Sequence, residues 1–279
     1  MARRTDRTWL ALRMVVTVIL AGPLLWAAWA SLQPIDRIFN PPASLVATDA
    51  AELPGPQWRN YAVAVTRLPF LRFLANSALI AGAATLGTVL TSSMAGFAFA
   101  RFQWPGRGFC FVVLLACIVI PSQVLLVPQF LLFQHLGWVN TYKPLIVPSW
   151  LASSAFCVFL FRQFFRGIPA SYEDAARLDG ATHWQLYWNI MLPMSKPVIG
   201  AVAALTVVYH WQAFMPPLVY LSDFERFPVS VGLRMYQSVE GSWANLILAA
   251  SLVALAPPLF AILIAHRYLM RSVGASNSP

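Results

Sequence analysis

The chain has 279 residues, of which 59% are hydrophobic and only 10% charged. A soluble domain carries about 25% charged residues, so most of this surface must face lipid rather than water. A net charge of +9 would point a soluble chain toward nucleic acid, but here the basic residues fall between apolar runs, where they act as topology signals, and nucleic acid is excluded as a partner.

Spanning helices need about 20 apolar residues, and the runs 12–32, 74–100, 109–134, 143–161, 197–221 and 243–266 meet that length. Charges are confined to the edges of these runs, Lys143 among them; one at a helix centre would cost about 2.5–3.5 kcal/mol. Open sheets cannot cross lipid, and a barrel would show short alternating segments. The expected fold is an all-α membrane protein with six transmembrane helices. Residues 1–11 form a short N-terminus, 12–272 a single transmembrane domain and 273–279 a tail.

The first run follows a basic start and ends in Ala28-Trp29-Ala30, a layout shared with cleavable signal peptides; residue 33 is extracytoplasmic with or without cleavage. The second is dense in small residues, including Ala81, Gly82, Ala84, Gly87 and Gly96, which permit close helix approach. Pro121, Pro128, Pro148, Pro216, Pro217, Pro257 and Pro258 interrupt the later runs, fitting either ordinary kinks or a bundle that opens and closes. Cys110, Cys117 and Cys157 lie inside apolar runs without a C-x-x-C pair, so neither a disulfide framework nor a metal site is expected. With the N-terminus in the cytoplasm, the inner segments hold twelve of the basic residues, from Arg3 to Arg271, and the outer ones seven. That bias places both termini inside.

The longest inner loop spans 162–196. Pro169 precedes a helix start, and Ser171 with Asp174 three residues on makes an approximate capping box. Ala175, Ala176 and Leu178 favour helix and Gly180 stops it. A second amphipathic stretch, Trp184 to Leu192, leads to Pro193 and the fifth span. The result is a short helix across the cytoplasmic end of the bundle, suited either to a docking protein or, through Trp184, Tyr187 and Trp188, to the membrane interface.

In the fifth run Tyr209, His210, Trp211, Gln212 and Phe214 combine aromatic faces with amide and imidazole groups that would line a sugar path; Asn76, Gln123 and Gln129 are weaker candidates. A band of interfacial aromatics and a histidine bonded to a neighbouring helix are the plainer alternatives. No G-x-x-x-x-G-K-[ST] loop and no H-E-x-x-H occurs, so this chain is not expected to bind a cofactor or hydrolyse ATP itself. An ion-coupled secondary transporter often carries carboxylates within its spans; none lies there. Motifs of an intramembrane enzyme are also missing.

Asp174-Ala175-Ala176, Asp179-Gly180-Ala181, Ile190 and Leu192-Pro193 resemble the EAA loop of ABC importer permeases, which reads E-A-A, a glycine four residues on and I-x-L-P about ten later. Asp174 stands where that family has Glu, and Glu173 is one position early. Asn76-Ser77, the stretch Ala95 to Arg101, Gly106-Arg107, Leu136-Gly137, Asn140-Thr141, Pro217-Leu218 and His266-Arg267-Tyr268 are similar to the carbohydrate branch, the second permease subunit of maltose-type systems. Gln212-Ala213 departs from the Asn-Asp usual there. The resemblance implies a multi-pass subunit of the bacterial inner membrane that translocates a sugar or sugar-like solute. It implies a second homologous permease, two ATPase subunits or domains carrying ATP and Mg, an extracytoplasmic solute-binding protein and surrounding lipid. It makes 162–196 a coupling loop, with Glu173, Asp174, Ala175, Ala176, Asp179, Gly180 and Ala181 as the ATPase-coupling residues.

Overall fold

The computed structural model describes the backbone of residues 2–35, 38, 55–152, 154–238 and 241–275. The outer-loop position Thr48 and the last four residues of the tail, with Ser276, lie outside them. Among the described residues the regular structure is helical, apart from a minimal antiparallel ribbon in which Gln237 pairs with Ser242 and Ser238 with Gly241. Four helical stretches are long and apolar enough to cross a membrane: Arg13–Ser31, Phe70–Arg101, Lys143–Gly167 and Ala244–Ala265. A fifth arises if the bent pair His183–Met194 and Lys196–Gln212, which turns through 75°, is one span.

The chain divides into two compact units. The first combines residues 1–71 with 232–256. It holds α1 (Ala2–Ser31), which exposes Trp9, Val18, Leu20 and Leu25 around its circumference, and α2 (Arg59–Thr66). Asn60 ties α2 to the end of α1, its amide donating to the carbonyls of Ser31 (2.8 Å) and Gln33 (3.2 Å). The Tyr236 hydroxyl donates to the carbonyl of Ala64, and burial pushes its phenol pKa up. The Arg67 guanidinium lies 4.1 Å from the centre of the Trp243 ring.

The second unit, residues 72–231 and 257–279, contains the long helix α3 (Phe70–Arg101), which starts at the unit boundary. Its small residues act as the sequence suggested at Gly96, where an added Cβ would lie 2.6 Å from the Phe161 Cβ and 2.9 Å from the Arg162 nitrogen. The apolar run 109–134 is two helices, α4 (Arg107–Ala116, continued as a 3₁₀ turn to Val119) and α5 (Leu126–His135). The break follows from Pro121: the residue before proline avoids helical geometry, and Ile120 is extended at ψ 117°. Around Pro148 the preceding residue, Val147, keeps helical angles (φ −59°, ψ −42°), and α6 (Lys143–Ile146) passes into a 3₁₀ turn, Val147–Trp150, before α7 (Ala155–Gly167), which Ser154 caps by accepting from the Cys157 N–H.

Beyond α7 come α8 (Ser171–Leu178) and α9 (His183–Met194), in which Leu186–Met191 form a π-turn. Then follow α10 (Lys196–Gln212) and α11 (Met215–Tyr220), parted by extended Ala213, and the short α12 (Val229–Gly232). The last helix, α13 (Ala244–Ala275), carries Pro257 and Pro258 without ending. A core of Phe97, Phe161, Phe165, Ile168, Ala176, Tyr187 and Met191 joins α3, α7, α8 and α9.

Candidate functional site

Helix α8 ends as glycine-terminated helices do. Gly180 takes φ +77°, the Ala181 N–H bonds the Ala176 carbonyl (2.9 Å) and the Gly180 N–H the Arg177 carbonyl (3.0 Å), the paired bonds of a Schellman motif. The start differs from the sequence expectation. Ser171 makes no capping bond: Ala170 is already helical at φ −63° and takes the cap position without a side-chain acceptor. The capping box lies instead at the start of α9, where the Thr182 hydroxyl accepts from the Gln185 N–H and the Gln185 side chain accepts from the Thr182 N–H at 2.8 Å. The pattern T-x-x-Q was legible there.

The two acids of α8 have different surroundings. The Glu173 side chain is only 12% exposed; one oxygen meets Arg177 at 2.7 Å and the other Arg101 at 3.7 Å. Asp174 points outward, and Asp179 is exposed at the helix end. Ala176 is buried in the core while Ala175 faces out. Leu178 is 90% exposed, the most open large apolar side chain among the described residues, with Tyr172 also exposed. Beside this face lies an open cleft of about 640 Å³, lined by Tyr172, Ala175 and Asp179 from α8 and its cap and by Asn189, Ile190 and Met194 from α9. Ala181 is half-buried against the core. Beneath the loop the Tyr187 hydroxyl meets the Ser93 hydroxyl at 2.7 Å, both groups buried.

Arg101 was legible as a topology charge and as the end of the stretch Ala95 to Arg101, but not as a contact of the loop, where it is central. Its guanidinium donates to the carbonyls of Phe165 (2.8 Å) and Ile168 (2.7 Å) while facing Glu173. Those carbonyls belong to the end of α7, where helical acceptors run out of partners.

The expected pathway residues are placed less uniformly. Tyr209 and His210 make a ring contact at 5.1 Å; Tyr209 is exposed, and His210 is 3.4 Å from the Ser149 hydroxyl. Trp211 is buried, Gln212 exposed and Phe214 half-buried. Gln123 lies exposed in the break between α4 and α5. Gln129 accepts from the Tyr220 hydroxyl at 3.2 Å. Asn76 has a structural task, its amide donating to the carbonyls of Glu225 (2.9 Å) and Phe227 (3.0 Å).

Residues 64–274 match the family described as binding-protein-dependent transport system inner membrane component. The chain belongs to this family. It is thus a transport subunit of an ABC importer rather than an enzyme, and the ion-coupled reading falls away. The chain is 31% identical over 267 residues to the sn-glycerol-3-phosphate transport system permease protein UgpE of Brucella suis, covering 92% of this chain and 91% of that one. It is 35% identical over 195 residues to the arabinooligosaccharides transport system permease protein AraQ of Halalkalibacterium halodurans, covering 70% and 69%. In fold it is similar to a bacterial ABC transporter involved in the import of the acidic polysaccharide alginate, with a TM-score of 0.79 and 18% identity over 95% of this chain and 96% of that one.

Proposed function

We propose that this subunit forms half of the transmembrane path of an ATP-driven importer for a sugar or sugar-like solute, and that α8 is its contact with the ATPase. The observation that carries the docking part is the face of α8: Leu178, Tyr172, Ala175 and Asp174 exposed beside a cleft, on a helix held from behind by Ala176 and Glu173. A large apolar side chain left open beside small and acidic ones fits a partner protein better than water. ATP and Mg belong to the partner ATPase, of which the importer carries two copies or domains. A second homologous permease completes the path, and an extracytoplasmic binding protein delivers the solute. The relatives named for glycerol phosphate and arabinooligosaccharide transport support a polyhydroxylated solute.

Six spans with both termini in the cytoplasm accord with the distribution of basic residues. In that topology α4 and α5 together make the third span, broken at Pro121, and α10 with α11 the fifth, broken at Ala213. ATP binding would close the ATPase dimer, draw the α8 helices together and switch the bundle between inward-open and outward-open states. The decisive experiment is co-purification of the ATPase with Leu178→Asp and Asp174→Ala variants of the membrane-inserted complex. Loss of the ATPase at normal membrane abundance is expected; full retention by both variants would overturn the docking role. Labelling of cysteines placed at Ser276 and Thr48 with an impermeant reagent tests the topology, with only Thr48 reached from outside.

A further inference from the structure

We infer that Arg101 and Glu173 are positioning residues that lock the docking helix to the transmembrane bundle, leaving Asp174 as the acid offered to the partner. The inference rests on the docking reading of α8. One guanidinium, 11% exposed, touches three elements: it sits at the end of α3, donates to the two carbonyls that close α7 and faces the carboxylate in the first turn of α8. Behind it the contact is continuous, since Phe97 of α3 meets Phe165 of α7 at 5.8 Å between ring centres and both share a core with Ala176 of α8. A push on α8 therefore reaches α3 and α7 through both packing and charge.

Both oxygens of Glu173 are engaged within the chain, one by Arg101 and one by Arg177. A docking partner could recruit that carboxylate only by breaking these contacts, whereas Asp174 already points outward. The arrangement is not built for maximal stability: the Arg101 Nε is buried without a hydrogen-bond partner. A largely buried ion pair adds little net stability because desolvation offsets the attraction, and fixing one arrangement is the role it fills better. Here it fixes the angle at which α8 is presented and ties its displacement to the spans.

The test uses the complete importer in proteoliposomes, with membrane abundance, ATPase co-purification, ATP hydrolysis and solute uptake measured together. Glu173→Ala is expected to retain abundance and co-purification but to lower uptake per ATP hydrolysed about fivefold or more, the lower range of coupling between distant sites. Glu173→Gln, which still accepts hydrogen bonds, recovers part of that ratio. Asp174→Ala instead lowers co-purification. The inference is overturned if Glu173→Ala leaves the ratio unchanged, if it lowers co-purification as Asp174→Ala does, or if both Glu173 variants merely lose abundance. If Leu178→Asp and Asp174→Ala keep the ATPase bound, the docking reading itself has failed, whatever Glu173 does.

Discussion

Gly96 and Phe161 leave no room between α3 and α7: a Cβ at position 96 would stand 2.6 Å from the Phe161 Cβ and 3.1 Å from the Val158 carbonyl oxygen. Two of the nearest atoms are backbone, so side-chain rotation cannot relieve the clash. Gly96→Ala should destabilise the subunit by about 1–3 kcal/mol, the usual cost of overpacking. Gly82→Ala, with nothing within 4 Å of the new methyl group, serves as the control. Thermal unfolding of the purified complex distinguishes the two; equal melting temperatures would contradict the close approach.

Gly180 presents the opposite case, open space but a demanding backbone. A Cβ added there would meet no atom within 4 Å, yet φ is +77°. Gly180→Ala should cost about 1–2 kcal/mol through the left-handed conformation alone, and Gly180→Asn less, because asparagine visits that region more readily. Amide exchange at Ala181, whose N–H bonds the Ala176 carbonyl, should quicken in the alanine variant and recover in the asparagine one.

Asn76 separates a structural role from a pathway role. Asn76→Ala removes two hydrogen bonds and strands the carbonyls of Glu225 and Phe227, at about 1–3 kcal/mol. Melting temperature should fall while the apparent solute affinity of the surviving importer stays constant. A changed affinity at unchanged stability would place Asn76 on the solute path instead.

Thr182→Ala should cost about 1 kcal/mol, the typical value for a lost helix cap, whereas Ser171→Ala should be near neutral because Ser171 caps nothing. Denaturation of the two variants side by side checks the reassignment of the capping box.

Hydropathy made the helical membrane class legible, since runs without central charges admit few other structures. The prolines marked candidate interruptions but not which of them break a helix: before Pro121, Ile120 leaves helical geometry, whereas Pro257 and Pro258 lie inside one continuous helix. Gly180 was readable as a helix stop because a local conformational need selects its residue type. The partition of the two acids was not readable, since it depends on Arg101, 72 positions earlier in the chain than Glu173. Ser171 misled because helix geometry had already begun at Ala170.

The π-turn at Leu186–Met191 gives α9 one residue more than regular helical winding would use. The added residue works as a phase shim. With i to i+5 bonding, Leu186 and Met191 come onto one line along the helix, and both are buried with Tyr187 in the same core. Because the wider turn absorbs the added residue locally, its ~100° of helical rotation is not passed on to the residues that follow. Met194, beyond the turn, therefore stays in step with the cleft that it lines beside α8, and the helix accommodates its extra residue without turning that face away.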